Sequence, residues 1–147
     1  MLEFGFRRIE PKDEAFCWTI YRDAMQPLTA ELMQWSEANQ RRGIEEAVRD
    51  DDASILVAGD VDAGWLHVIE TRRDIHLGHL YLAPAARNKG LGTKFLRWMG
   101  ERAIRKQKSF TLEVLKNNRA RGLYERLGFR IIETSPLKYT MQFHQGG

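Results

Sequence analysis

The sequence predicts an α/β (α+β) fold in which strands form one mixed sheet with helices on both faces. Strand-like and helix-like segments follow one another in the order β-α-α-β-β-β-α-β-α-β-β, which is neither a strict alternation nor a segregation of the two types. A chain of 147 residues with 43% hydrophobic and 29% charged residues is typical of one globular domain that buries a real core. A glycine-bearing turn between a strand and a helix is the third observation, because such turns belong to α/β sheets that bind ligands.

The N-terminal third reads as a strand followed by helices. The predicted elements are an edge strand at 3–9, helices at 12–25 and 30–42, and a short helical piece at 44–49. Pro27 is expected to break the first helix, because proline disrupts a helix interior. Thr29 is a suitable N-cap for the second helix, and Gly43 is expected to end it.

The remaining two thirds alternate between strands and helices. The predicted elements are a hairpin of strands 54–58 and 63–71, a strand at 75–82, a helix at about 90–106, a strand at 109–114, a second helix that holds Ala120 to Leu127, and strands at 129–134 and 137–143. Gly128 is expected to end the second helix as its C′ residue.

The stretch from Leu80 to Thr93, LYLAPAARNKGLGT, predicts an anion site. A strand leads through a glycine turn to the start of a helix, where backbone N–H groups lack partners and the helix dipole is positive. Glycines at 90 and 92 remove Cβ atoms that would keep a phosphate away. Two common phosphate loops do not fit, because Gly-Thr-Lys has the wrong order for a P-loop and Phe95 replaces the third glycine of a Rossmann fingerprint.

The distribution of charge supports a polyanionic ligand. Residues 87–130 hold 13 of the 23 Lys and Arg residues but only 3 of the 20 Asp and Glu residues. The acidic remainder of the chain would attract a cationic co-substrate. No basic stripe interleaved with aromatic residues is present, so nucleic acid is not an expected partner.

Composition also bounds the setting of the protein. No apolar run approaches the roughly 20 residues of a membrane span, and the N-terminus lacks a signal-peptide core, so no membrane partner is expected. The single cysteine, Cys17, excludes an internal disulfide and suits a reducing cytoplasm.

A second motif identifies the type of phosphate loop. Residues 112–129, LEVLKNNRARGLYERLGF, follow the pattern V-x-x-x-N-x-A-x-x-LYERLGF, and Arg87-x-x-Gly90-x-Gly92 fits R/Q-x-x-G-x-G/A. The two motifs, in this order, resemble the signatures of the GNAT superfamily of N-acetyltransferases. The resemblance covers roughly residues 50–143 and extends to the N-terminal third only through its strand-helix-helix order.

The resemblance implies a single domain over 1–147, with an acceptor side at about 1–50 and an acetyl-CoA-binding core at about 51–143. It also implies a mostly antiparallel sheet of about seven strands that splays between its two central strands, 75–82 and 109–114. Acetyl-CoA is the implied co-substrate. By similarity, the residues that bind it are Leu80, Tyr81, Leu82, Arg87, Asn88, Lys89, Gly90, Leu91, Gly92, Thr93, Asn118 and Tyr124. Asn117 is an alternative register for Asn118.

The resemblance places Tyr124 beside the thioester sulfur, where it is the expected general acid for the departing thiolate. A backbone N–H near Leu82 would polarise the carbonyl. Candidates for the general base are Glu113, His76 and Glu70, and a relay of ordered water is the alternative. A metal site formed by His76 and His79 is not expected, because residues three apart on a strand face opposite sides.

The expected activity is transfer of an acetyl group to a primary amine of a small molecule or peptide, directly in a ternary complex. Cys17 is far from both motifs in sequence, and Glu31, Met33 and Trp35 are candidates for an acceptor wall. The alternatives are a non-catalytic domain that binds or senses acyl-CoA and a protein-interaction domain on the same fold. Similar proteins often form homodimers, but nothing in the sequence specifies an interface for a homodimer.

Overall fold

The computed structural model describes residues 3–144, which form seven strands and four α-helices. In chain order these are β1 (Gly5–Arg8), α1 (Glu14–Leu32), α2 (Glu37–Val48), β2 (Ala53–Ala58), β3 (Val61–Glu70), β4 (Asp74–Leu82), α3 (Leu91–Arg105), β5 (Ser109–Leu115), α4 (Ala120–Arg126), β6 (Phe129–Thr134) and β7 (Lys138–Phe143). Short 3₁₀ turns at Pro11–Asp13 and Pro84–Ala86 precede α1 and the glycine turn. The predicted order of strands and helices is confirmed.

The seven strands form one mixed sheet in the order β1-β2-β3-β4-β5-β7-β6. β4 and β5 are parallel, whereas β1–β2, β2–β3, β5–β7 and β6–β7 are antiparallel. The predicted mixed, mostly antiparallel sheet is therefore confirmed. The parallel ladder pairs Asp74 through Leu77 with Ser109 through Leu112, and β4 continues beyond its last paired residue to Leu82.

The prediction that Pro27 breaks the first helix was wrong. α1 continues through Pro27 and ends at Leu32, so Thr29 is a buried residue of its last turns rather than an N-cap. Pro27 has no backbone N–H, so the Asp23 carbonyl lacks its usual hydrogen bond within the helix. Asp23 and Pro27 are both exposed, so water can satisfy that carbonyl.

The second helix also differs from its prediction. α2 begins after Ser36, whose side chain accepts a hydrogen bond from the Asn39 N–H at 3.4 Å, and it runs through Gly43. A glycine in a helix interior costs about 1 kcal/mol relative to alanine. Ile44 and Val48 are buried on the same helix, and burying each contributes about 1.5–3 kcal/mol, which outweighs that cost.

The described chain forms two compact units, of which the first comprises the residues up to 67 together with 79–89. Its core contains apolar and aromatic side chains from α1, α2, β2 and β3: Cys17, Trp18, Ile20, Tyr21, Ile44, Val48, Ile55 and Trp65. The fully buried Trp65 indole donates a hydrogen bond to the Cys17 carbonyl at 3.1 Å, which ties β3 to α1. This unit contains the last residues of β4, 79–82.

The second unit comprises 68–78 and the residues from 90 onward. One face of α3 is buried, with Phe95, Leu96, Met99 and Ala103 as its inner residues. Phe110, Phe129 and Phe143 pack edge-on or tilted against one another with ring centroids 5.2–6.3 Å apart. This unit contains the start of β4 and the two helices of the sequence motifs.

No helix within residues 3–144 is both long enough and apolar enough to cross a lipid bilayer.

Candidate functional site

The glycine turn has the geometry that its sequence predicts. Gly90 is the N-cap residue of α3 and has a left-handed backbone with φ of 80°. The Lys94 N–H bonds to the Gly90 carbonyl at 3.0 Å and is the first helical hydrogen bond. The N–H groups of residues 91–93 therefore precede the helical ladder, and no acidic side chain lies in this first turn. This helix end suits an anion.

Arg87 belongs to the first unit and is fixed to the end of β4. Its Nε atom donates a hydrogen bond to the Leu82 carbonyl at 2.9 Å. Its Nη2 atom is buried and has no hydrogen-bond partner among residues 3–144. A buried guanidinium nitrogen without a partner is costly, so an acceptor from a ligand would stabilise it.

The backbone at the end of β4 lies unusually close to β3. The Ala83 N–H bonds to the Ala63 carbonyl at 2.8 Å. A Cβ atom added to Gly64 would lie 2.1 Å from the Tyr81 carbonyl oxygen and 3.0 Å from the Leu82 Cα. Only glycine permits this approach, so Gly64 sets the position of residues 81 and 82. Gly64 is not among the residues that the sequence motifs single out, although an isolated glycine inside a strand is the usual signal of such a contact.

Tyr124 and Asn118 lie at the two ends of the α4 segment in the second unit. Tyr124 is half-buried and packs edge-on against Phe129 at 5.8 Å between ring centroids. Burial raises the pKa of the Tyr124 phenol, which keeps its proton available for donation. The Asn118 side-chain oxygen accepts a hydrogen bond from the Ala120 N–H at 2.9 Å and so satisfies the first N–H group of α4. The side-chain nitrogen of Asn118 is a donor that this contact does not use.

The three candidate bases have different surroundings. His76 Nδ1 lies 2.9 Å from the Thr111 hydroxyl, which itself donates to Asp74 at 2.8 Å. Because the Thr111 hydroxyl donates its one proton to Asp74, it accepts a hydrogen bond from Nδ1–H of His76. Glu113 is exposed on β5, opposite Thr140 of β7.

Glu70 is surrounded by cations. Its carboxylate accepts hydrogen bonds from Lys106 at 2.7 Å and Lys108 at 2.6 Å, and Arg102 lies 3.4 Å away. The hydrogen bonds from Lys106 and Lys108 lower the pKa of Glu70 to about 2. A carboxylate with this pKa is a weak base, and its role here is to hold the end of β3 to α3 and its following turn.

The candidate acceptor residues lie around the end of α1. Trp35 stacks on Trp18 and Tyr21 with ring centroids 6.4 and 6.3 Å apart, whereas Met33 is 49% exposed.

The Cys17 thiol is fully buried, and burial raises its pKa to about 12. Cys17 is therefore a core residue and a poor nucleophile.

A group of polar side chains that the sequence analysis did not consider as catalytic lies near this aromatic core. His79 Nδ1 is 3.0 Å from the Tyr81 hydroxyl, and the His79 ring stacks on Trp65 at 5.1 Å. His67 on β3 is buried, with its ring centroid 6.0 Å from that of His79. The alternation of β4, which puts residues 79 and 81 on one face, was the signal available in the sequence.

Comparisons with known proteins agree with this arrangement of elements. The profile of the family described as "Acetyltransferase (GNAT) domain" matches residues 51–131, more than half of the chain. No curated protein matches the sequence significantly.

Several solved structures share the fold at low sequence identity. PaiA N-acetyltransferase from Thermoplasma acidophilum, in complex with coenzyme A, is 17% identical with a TM-score of 0.67, over 97% of this chain and 99% of that chain. The ribosomal-protein-S18-alanine N-acetyltransferase from Escherichia coli is 19% identical with a TM-score of 0.65, over 95% of this chain and 92% of that chain. Naa50 from Arabidopsis thaliana, in complex with the bisubstrate analogue CoA-Ac-MVNAL, is 12% identical with a TM-score of 0.64, over 97% of this chain and 99% of that chain. The resemblance seen in the two sequence motifs is thus confirmed, and this chain is an enzyme that belongs to the GNAT family of acetyltransferases.

Proposed function

We propose that this enzyme transfers the acetyl group of acetyl-CoA to a primary amine, directly within a ternary complex. The observation that carries the proposal is the start of α3, where Gly90 has a left-handed backbone and the helix begins without an acidic side chain. Its free N–H groups suit the pyrophosphate of acetyl-CoA. Lys89 is exposed next to Gly90 and adds positive charge along the chain. The proposed contacts use backbone N–H groups of Asn88 through Thr93.

The pantetheine arm would run along the end of β4. Leu80, Tyr81 and Leu82 lie beyond the last residue that β4 pairs with β5, so their backbone groups can pair with an amide-bearing chain as an added strand would. The close approach of β3 at Gly64 fixes this backbone, and the Arg87 side chain holds the Leu82 carbonyl. A backbone N–H near Leu82 would then polarise the thioester carbonyl.

Tyr124 acts as the general acid in the proposed reaction. The amine nitrogen forms a bond to the acetyl carbon while the carbon–sulfur bond breaks, and Tyr124 gives its hydroxyl proton to the departing sulfur. The proton that the new amide nitrogen loses restores the phenol. Burial raises the pKa of Tyr124, so the phenol enters the reaction protonated and gives up its proton only as negative charge develops on the sulfur. Asn118 would contact the co-substrate through its side-chain nitrogen.

Glu113 and His76, which the sequence named as candidates for the base, stay predictions. His76 and Leu82 both lie on β4, six residues apart, so their positions are separated by about 20 Å along the strand. The acceptor is proposed to be a small amine or a peptide N-terminus. The Naa50 complex with a peptide-containing bisubstrate analogue supports the peptide option.

We further propose that residues 1–147 act as one domain in the cytoplasm, with residues 1–50 facing the acceptor and 51–143 holding acetyl-CoA. The buried Cys17 thiol, with its raised pKa, supports direct transfer over an acetyl-cysteine intermediate.

The first test follows release of the CoA thiol from acetyl-CoA with a panel of polyamines, amino acids, aminoglycosides and peptide N-termini. Release that depends on one class of amine supports the proposal and names the acceptor. No release, with acetyl-CoA still raising the melting temperature, would favour a domain that senses acyl-CoA. Neither release nor a thermal shift would refute the co-substrate assignment.

Gly90→Ala tests the phosphate site against a matched control. Gly59, in the β2–β3 turn, also has a left-handed backbone, with φ of 63°, and neither glycine has an atom within 4 Å of an added Cβ. Both alanine variants therefore incur a similar strain of about 1–2 kcal/mol. We expect only Gly90→Ala to weaken acetyl-CoA binding, by about tenfold. Equal affinity of the two variants would argue against the site.

Tyr124→Phe tests the general acid. Removing the hydroxyl should lower kcat by about 100-fold, since general acid catalysis contributes that much or more, while the affinity for acetyl-CoA stays the same. Stopped-flow turnover with the best acceptor and calorimetric binding give the two quantities. A kcat equal to that of the wild type would remove Tyr124 from this role.

A further inference from the structure

Four polar side chains of the first unit have no role in the reaction described so far. They are Tyr81 and His79 on β4, His67 on β3 and Asp50 in the turn between α2 and β2. They form a succession of close neighbours from the end of β4 to the protein surface.

The first pair in this succession is held in a fixed geometry. His79 Nδ1 lies 3.0 Å from the Tyr81 hydroxyl. The His79 ring stacks on Trp65 at 5.1 Å, and the Tyr21 ring packs edge-on against Tyr81 at 5.2 Å. Aromatic surfaces therefore surround both polar groups, and the hydroxyl and the imidazole are aligned for exchange of a proton.

His67 continues the succession. Its ring centroid lies 6.0 Å from that of His79, a separation that one bridging water can span for proton exchange. His67 is only 8% exposed, and its Nε2 atom is buried without a hydrogen bond from residues 3–144. A buried polar atom without a hydrogen bond costs about 1–3 kcal/mol. The atom is therefore available to exchange a proton with a nearby polar group.

Asp50 ends the succession at the surface. Its Oδ2 atom lies 3.4 Å from His67 Nε2, within ion-pair distance, although the two atoms do not form a hydrogen bond. The Asp52 N–H bonds to Oδ1 at 3.0 Å, and this bond, together with His67, lowers the pKa of Asp50. Asp50 also lines an open cavity of about 210 Å³ whose walls include Arg8, Glu14 and Arg49. An ionised carboxylate in contact with solvent is a suitable exit for a proton.

The proposed reaction requires such an exit. An amine that enters as an ammonium ion loses two protons when it becomes an amide. One of them replaces the proton that Tyr124 gives to the sulfur, so one remains to be released for each turnover. The released proton must leave from the end of β4, where the acetyl carbon is proposed to lie.

We propose that Tyr81, His79, His67 and Asp50 form a proton relay that deprotonates the acceptor amine and delivers its proton to solvent. The proposal rests on the proposed acetyl transfer. Tyr81 Oη takes a proton from the ammonium nitrogen while its own hydroxyl proton passes to His79 Nδ1. His79 then gives a ring proton to His67 through one water, and His67 releases its Nε2 proton to the Asp50 carboxylate, from which it reaches solvent. Tyr81 is the catalytic residue of this relay, and the other three residues act through it.

The test uses chemical rescue, which a purely structural role would not produce. The acceptor is whichever polyamine, aminoglycoside or peptide releases CoA fastest in the panel described above. His67→Ala should lower kcat at least about tenfold without changing the KM for acetyl-CoA. Imidazole added to the assay should restore most of this loss in His67→Ala while leaving the wild-type rate unchanged.

Asp50→Asn provides a second variant that keeps the size and the Oδ1 acceptor of the side chain. It should lower kcat severalfold and make the rate depend on buffer concentration. Asp51→Asn is the matched control, because it removes the same charge from the next residue of the turn and from the same cavity. We expect it to behave as the wild type. Melting temperatures separate any loss of folded protein from loss of rate.

Three results would overturn the relay. One is a His67→Ala kcat near that of the wild type, and another is a loss that imidazole does not restore although the variant is folded. The third is an equal effect of Asp50→Asn and Asp51→Asn. Amine-dependent turnover by the wild type with any of these results refutes the relay alone, whereas absence of turnover with every amine refutes it together with the proposed function.

Discussion

The two halves of β4 differ in how their polar side chains are used. In the first half, Asp74 accepts hydrogen bonds from Ser109 and Thr111, and Thr111 in turn contacts His76. In the second half, the His79 and Tyr81 side chains form a hydrogen bond with each other, and both rings pack against Trp65. In the first half, the hydrogen bonds converge on the Asp74 carboxylate and join β4 to β5 at the start of the parallel ladder. The second leads through His67 toward solvent, so the same strand supports stability at one end and proposed chemistry at the other.

The strongest way to break this comparison is to displace the second half. In Gly64→Ala the new Cβ would lie 2.1 Å from the Tyr81 carbonyl oxygen, so the backbone must move. We expect the free energy of unfolding to fall by about 2–3 kcal/mol, as for other overpacked sites, and the KM for acetyl-CoA to rise. Denaturant unfolding and steady-state kinetics measure the two effects.

Gly43→Ala is the control for that substitution. Gly43 is exposed inside α2 and has no atom within 4 Å of an added Cβ. Alanine there should stabilise the protein by about 0.5–1 kcal/mol without changing the kinetics. Similar stabilities of the two variants would show that the contact at the end of β4 is not rigid.

Thr111→Val sharpens the account of the first half. Valine removes the hydroxyl that links His76 to Asp74, which leaves a donor and an acceptor without their partner. These groups are half-buried, so we expect a loss of about 1 kcal/mol in unfolding free energy, with kcat within twofold of the wild type. A large fall in kcat with little loss of stability would instead place the base at His76.

An effect of similar size is expected at Glu70, just before the turn into β4. Its folded pKa of about 2 lies below the usual value, so its carboxylate stabilises the fold above pH 4.5 and loses this effect as the pH falls toward 2. The pairs are partly exposed, so we expect a contribution of about 1 kcal/mol. Glu70→Gln should reduce the fall in stability between pH 7 and pH 3. An identical pH dependence of variant and wild type would contradict the ion-pair assignment.

The fold of the C-terminal two thirds was predicted well from the sequence, because the signals in that part of the chain are local. Gly90 and Gly128 both have positive φ and mark helix ends where expected. The N-terminal third was less predictable. Pro27 and Gly43 are normally helix breakers, and only the burial of Thr29, Ile44 and Val48 shows why the helices continue.

The candidate site was predictable to the extent that it follows sequence motifs. The turn at Gly90 and the position of Tyr124 on α4 came from motifs that retain their local geometry. The pairing of His79 with Tyr81, the proximity of His67 to Asp50 and the contact at Gly64 join segments that are distant in sequence. No local pattern encodes such contacts, since they depend on the register between strands.

Residue-resolved hydrogen exchange of backbone amides, with and without acetyl-CoA, tests the central claim most directly. If the end of β4 and the start of α3 bind the co-substrate, amides at 80–82 and 91–93 should become more protected, because they acquire hydrogen-bond acceptors. Amides at 75–77, which lie in the existing parallel ladder, should exchange at unchanged rates. Protection confined to 75–77, or no change at 80–82 and 91–93 under saturating acetyl-CoA, would contradict the account.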